Sequence, residues 1–360
     1  MKKSNLFLSI ILILCLNQCL VERQPIKPVE RSVEKLQISI DPRMELLSTI
    51  QLLSNYPEIS RNTSYSKEIL NYFEPFSSQE AIIITDSLRQ KYDFSFDAPV
   101  AFMLYLSQPP ELEQQFAFSD YLLRRSGRGN NLEYYRKSIK QFAETSNFET
   151  FWNNKIPFYN QILDLTIADI GEIDLIKVLE DYFNETFESY HITISPSFIG
   201  GYAHNITDAD GNTTIYGCLT TTDIKNEIEY MSRMRLCEFV WHEFGHSFVN
   251  PQTDKFSDRV NSLNKLFEPI KEEMSEMAYP VWYLCVNEHI IRAIVIRLYE
   301  LHLDSQQSKT LLERELQQHF IYIEPLIEKL KDFEIQRDKN RVTFTKYYPE
   351  LLNVLDGLQP

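Results

Sequence analysis

Along this chain, apolar positions fall mostly into long Leu- and Ile-rich segments mixed with Glu and Lys, divided by turn residues, and such segments favour helix. The pattern predicts helices over 66–73, 78–92, 99–107, 112–124, 131–146, 148–164 and 172–187. Turn signals at Pro75, Pro109-Pro110, Gly127 to Asn131 and Gly171 separate several of them. Strict alternation is confined to a few places. Leu36-Gln-Ile-Ser-Ile40 reads as a short strand, and Asp41-Pro42 then caps and opens a helix running to Leu53. His191 to Ile199 and Thr213 to Thr221 alternate again, with turn clusters at Gly200-Gly201 and Asp208 to Asn212. They predict a hairpin or two sheet strands. Asp208-x-Asp210-Gly-Asn212 lacks the spacing and the distal Glu of a calcium loop, so turn chemistry is the reading there. Beyond 250 the pattern predicts a broken helix over 258–278, an apolar helix from Val281 to Glu300, an amphipathic helix over 306–335 and a short one over 345–356.

Residues 227–249 carry the chemistry. They contain no Pro and one Gly, start polar and end apolar. Asn250-Pro251 predicts the helix stop. Inside lies His242-Glu243-Phe-Gly-His246, the His-Glu-x-x-His pattern of a helical zinc site. Residues i and i+4 stand one turn apart on one face, so His242 and His246 can present imidazoles to one ion. Glu243, rotated about 100° from His242, falls where a general base for an attacking water would stand. Phe239, Val240, Trp241, Phe244 and Phe248 imply burial, and buried histidines need partners. The plainer reading is a pair of core histidines bonded to backbone carbonyls.

Zinc needs a third protein ligand. A His six residues after His246 would be one solution, but Gln252 stands there and Val249 occupies a place where that class has Gly. A Glu from a later helix is the other. Glu288 sits within an almost wholly apolar run, where a lone carboxylate is costly. An ion pair with Arg292, one turn on, is its structural alternative, and the two roles are compatible. His289 is the rival ligand, or a catalytic hydrogen-bond donor to a transition-state oxyanion. His204, Tyr202, Tyr279 and Tyr283 are further possible donors.

Composition narrows the setting. The chain has 360 residues, 43% of them hydrophobic, with 9 glycines, enough for one large or two modest domains. A formal charge of −15 argues against nucleic acid as a partner. Residues 1–19 read as an export signal: Lys2 and Lys3, an apolar run from Leu6 to Leu16 too short to favour a span, then Leu16-Asn-Gln-Cys19. That ending is similar to a lipoprotein box, in which Cys19 would carry a lipid and tether the protein to a membrane. Ordinary signal cleavage is the alternative. Residues 20–35, with Pro25 and Pro28, read as an extended tether, and 36–360 as the folded domain. Within it 36–190 is mostly helical, 191–303 holds sheet and metal-binding helices, and 304–360 adds C-terminal helices. Cys218, Cys237 and Cys285 are an odd set without repeated spacing and read as buried free thiols. Asn62, Asn184, Asn205 and Asn212 begin Asn-x-Ser/Thr triplets, which matter only in a glycosylating host.

The His242, Glu243, His246 and Glu288 arrangement resembles the gluzincin metallopeptidases, which pair a His-Glu-x-x-His helix with a Glu from a later helix. Those enzymes often carry Asp four residues after the Glu; here Arg292 stands there. More widely, Asp41-Pro-Arg-Met-Glu-Leu-Leu, the His-Glu-Phe-Gly-His helix and Asn287-Glu-His-Ile-Ile-Arg-Ala293 resemble a bacterial family of exported zinc peptidases of unassigned substrate. The resemblance implies a zincin-like α+β fold, predominantly helical, with a small sheet beside the metal helix. It implies one Zn²⁺ per chain and a peptide or protein substrate cleaved in the cell envelope or outside the cell. A zinc hydrolase of another amide, such as cell-wall material, and a surface binding protein with a vestigial site are the alternatives.

Overall fold

The computed structural model describes residues 24–57, 59–60 and 62–358. The export signal and Cys19 lie outside the described residues. The fold is α+β and predominantly helical. Strands β1 (Val29–Val33), β2 (Leu36–Ile40), β3 (Ser189–Ile194), β4 (Gly201–Thr207) and β5 (Thr213–Leu219) form one sheet in the order β1-β2-β3-β5-β4. β2, β3 and β5 run parallel, while β1 and β4 are antiparallel edges. β6 (Asp223–Lys225) and β7 (Ile228–Tyr230) make a separate hairpin.

A parallel pair needs a long crossover. Between β2 and β3 it consists of α1 (Pro42–Leu53), α2 (Ser64–Phe73), α3 (Glu80–Tyr92), α4 (Asp97–Leu104), α5 (Asp120–Arg125), α6 (Gly129–Thr145), α7 (Phe148–Ile170) and α8 (Leu175–Phe183). After the sheet come α9 (Arg233–Glu243), α10 (Gly245–Lys255), α11 (Ser257–Ser262), α12 (Lys271–Glu276), α13 (Trp282–His302), α14 (Ser305–Gln317), α15 (Ile323–Asn340) and α16 (Phe344–Asp356). One continuous hydrophobic core runs through both groups of helices. Among the described residues no helix is long and apolar enough to cross a membrane.

Several expectations change. β1 lies within the segment read as a tether: its alternating residues pair with β2, and Ile26 before it is buried and bonded to Pro109 O. The alternating stretches at 191 and 213 are parallel neighbours, not a hairpin; β5 forms its hairpin with β4 instead. Asp208 Oδ1 accepts the amides of Asp210 and Asn212 at 2.9 Å, which is turn chemistry. The stretch 112–124 is helical only from Asp120, because Leu106 and Gln114 form an isolated bridge. The helix expected to stop at Asn250-Pro251 continues as α10 to Lys255. Burial of Phe248, Val249, Gln252 and Thr253 offsets the proline's missing hydrogen bond. Cys218, Cys237 and Cys285 are buried free thiols, as read.

Candidate metal centre

α9 begins where Asp169 of α7 accepts the amide of Arg233 at 2.6 Å, satisfying one of the orphan donors of the first turn. Its other end is fixed from within the core, where Trp241 is fully buried and donates its indole N–H to Leu175 O at 3.2 Å. With Trp241 inward, His242 and Glu243 turn toward a cleft. The backbone stays in the right-handed helical region through Phe244, and α10 carries His246 onward on the same side. α13, apolar nearly all round, packs against both helices and brings Glu288 beneath them.

His242, His246 and Glu288 each point one donor atom at a common spot, all within 4.8 Å of one another. His242 Nε2 lies 3.5 Å from Glu288 Oε2, and His246 Nε2 lies 3.4 Å from Glu288 Oε1. Donors about 2.1 Å from one ion at tetrahedral angles would stand about 3.4 Å apart. The side chain of Glu288 is only 7% exposed, and its Oε2 accepts no hydrogen bond. His246 Nδ1 lies 3.1 Å from Asn250 Oδ1, and a proton held on Nδ1 by that acceptor would leave Nε2 free to face a metal ion. Burial, then Arg292 and His246, hold His242 well below the usual imidazole range. Two imidazoles and a carboxylate therefore converge, with the Arg292 guanidinium 3.1 Å from Glu288 Oε2 on one side, and a cation at the common spot would satisfy their donor atoms. The group can hold a metal ion.

Glu243 stands beside this spot on a cleft of about 510 Å³ whose walls include Gly200, Gly201, Phe239, His242, Tyr279 and Arg292. Burial first, then the Glu288 charge, push its carboxyl up to about 8. A cation alongside would favour the ionised form. β4 reaches the cleft at Gly201, where a Cβ would stand 1.6 Å from the Phe239 ring of α9. Only a glycine lets the edge strand lie so close to the metal helix.

The structure brings together His242, Glu243, His246 and Glu288, and it does not bring in His289. Adjacent helical residues diverge by about 100°, so turning Glu288 to the site turns His289 away. His289 is buried, with Nδ1 2.7 Å from Cys285 O and its ring among Trp282, Phe320 and Tyr322. Of the other possible donors, Tyr279 lines the cleft, with Arg292 Nη2 3.4 Å from its hydroxyl. Tyr283 donates to Asp254 at 2.6 Å, and His204 lies 3.4 Å from the Tyr105 hydroxyl. Asn250 and Glu315 escaped the sequence reading. Asn250, four residues after His246 on one helix, was legible in principle, whereas Glu315 comes from α14 and carried no local signal.

No curated protein and no solved structure matches the chain. Residues 36–354 match the family described as Domain of unknown function (DUF4932). That match spans the sheet from β2 onward, the candidate metal-binding group and all but the last two residues of α16, and the chain is a member of the DUF4932 family.

Proposed function

We propose that this protein is an exported zinc-dependent peptidase of gluzincin-like design, with zinc held by His242, His246 and Glu288. The observation that carries the reading is the convergence of two imidazole nitrogens on a buried carboxylate, 3.5 and 3.4 Å from its two oxygens, with all three ligand atoms within 4.8 Å of one another. Two imidazoles on a His-Glu-x-x-His helix with one carboxylate are a donor set that zinc takes. Zinc bound there would supply Lewis acidity, lowering the pKa of water and polarising a carbonyl.

The chain's own groups do the rest. Glu243, as carboxylate, takes a proton from the water that attacks the scissile carbonyl carbon, and returns it to the departing amine nitrogen as the C–N bond breaks. Tyr279 remains a neutral phenol, because burial and the Glu288 charge push it up to about 12. As part of the cleft wall it would donate a hydrogen bond to the developing oxyanion. β4 is a sheet edge that opens onto the cleft at Gly200 and Gly201, and an extended peptide would add to it through main-chain hydrogen bonds. The charged start and apolar run of residues 1–19 support export.

The test is a peptide-library digest by the purified chain, with and without chelator, beside Glu243→Gln. Cleavage that chelator and the substitution each abolish is expected. Chelator-resistant cleavage would overturn the mechanism, and turnover confined to non-peptide amides would overturn the substrate.

A further inference from the structure

Arg292 occupies an unusual place. It lies one helical turn after Glu288, where an arginine would normally clamp the carboxylate in a paired hydrogen bond. A carboxylate clamped in that way has given its lone pairs to the guanidinium and is a poor metal ligand. Yet Arg292 Nη2 stands 3.1 Å from Glu288 Oε2 while that oxygen accepts no hydrogen bond. Something holds the guanidinium in register but out of alignment.

Three groups outside the metal-binding helices do so: Glu315, Phe320 and Tyr279, whose hydroxyl accepts Arg292 Nη2 at 3.4 Å. Arg292 Nη1 donates to Glu315 Oε2 at 2.6 Å, and the Glu315 side chain is only 2% exposed. The guanidinium carbon sits 4.1 Å from the centroid of the Phe320 ring. Glu315 is itself fixed, since its Oε1 accepts Arg314 Nη2 at 2.6 Å and Nε at 3.2 Å, and Arg314 reaches Glu238 of α9. Arg292 Nε is buried without a partner, so no further bond sets its position on that side.

We propose that Glu315 is a positioning residue for the metal centre: it draws the Arg292 guanidinium back and balances its charge, leaving the Glu288 carboxylate open to a divalent cation. This rests on the reading of His242, His246 and Glu288 as metal ligands. Without Glu315, Arg292 closes on Glu288, competes for its lone pairs and adds an uncompensated positive charge beside the ion. A merely structural ion pair makes a different prediction: removing either member alone breaks it, so E315Q, R292Q and the double variant would lose affinity alike.

The experiment measures zinc affinity by chelator competition, and the visible spectrum of the cobalt-loaded protein, for the full chain and for E315Q, R292Q and R292Q/E315Q. Melting curves without metal establish that each is folded. Glu315→Gln is expected to lose about tenfold or more in zinc affinity and to shift the cobalt bands. The double variant is expected to bind more tightly than E315Q and to lie within about twofold of R292Q alone, the scatter of independent sites. Wild-type affinity in folded E315Q, or a double variant no tighter than E315Q, overturns the proposal. Should E315Q not fold, Phe320→Leu removes the ring beneath the guanidinium and keeps every charge. A severalfold loss of affinity with shifted cobalt bands is then expected, and wild-type affinity overturns the proposal. A wild-type chain that binds no zinc would overturn the ligand assignment itself and would show in the first titration, apart from any effect of Glu315.

Discussion

Glu243 and Asn250 lie within eight residues of each other, and they separate chemistry from metal retention. Glu243→Gln keeps shape and removes the base, so zinc content should be unchanged while turnover falls by about 10²–10⁴. Turnover near wild type would remove Glu243 from the mechanism. Asn250→Ala takes away the acceptor 3.1 Å from His246 Nδ1, and with it the restraint on the tautomer. Zinc affinity should fall about 10–100-fold, measured by chelator competition; an unchanged constant would show that Asn250 does not orient His246. What sequence could reveal here follows from geometry. His242, Glu243 and His246 are legible because a helix fixes i, i+1 and i+4 without help from the fold. Glu288 was reachable because an apolar helix makes a lone carboxylate conspicuous. His289 misled for the same reason: burial marked it as special, but only packing decides which of two neighbours turns to the site. Asn250 carried two signals, and its place before Pro251 read as a helix stop.

Among elements, β4 and α10 were the hardest to read. β4 alternates weakly and begins with glycine, and its existence depends on pairing with β5 and on the Phe239 ring lying against Gly201. A methyl group there meets the ring at a forbidden distance, so α9 or β4 must shift. Gly201→Ala should destabilise the fold by about 1–3 kcal/mol and reduce turnover beyond that loss, since the cleft wall and the metal helix separate. A variant with native melting temperature and native turnover would show that the close approach is not needed. α10 passes through Pro251 because four buried side chains outweigh one lost hydrogen bond, a balance set by tertiary contacts that no local signal contains.

For the molecule as a whole, the sheet joins parts far apart in sequence. β1 and β2 come from residues 29–40, β3 to β5 from 189–219, and α1 to α8 close the crossover between them. The helical segment is therefore part of the core, not a detachable prosegment, and heating should give one cooperative transition. Two calorimetric transitions would contradict this. Beneath the sheet, Glu45 of α1 is 1% exposed and accepts the Tyr65 hydroxyl, which lies 2.7 Å from that of Tyr159. Burial pushes its carboxyl from 4.5 up to about 7, against the pull of the Ser195 and Tyr65 hydroxyls. Below about 4.5 both folded and unfolded chains are protonated and no penalty exists. As pH rises toward 7 the unfolded chain ionises first, so stability declines, by roughly 3 kcal/mol in total. Glu45→Gln should remove this decline, and parallel stability–pH curves for the two proteins would refute it.

The central claim is that three converging side chains hold one divalent ion, and metal analysis of the purified chain beside Glu288→Ala tests it most directly. One zinc per wild-type chain, removable by chelator and largely absent from the folded Glu288→Ala variant, is the expected result. A wild-type chain that takes up no zinc, or a variant that retains a full equivalent, would contradict it.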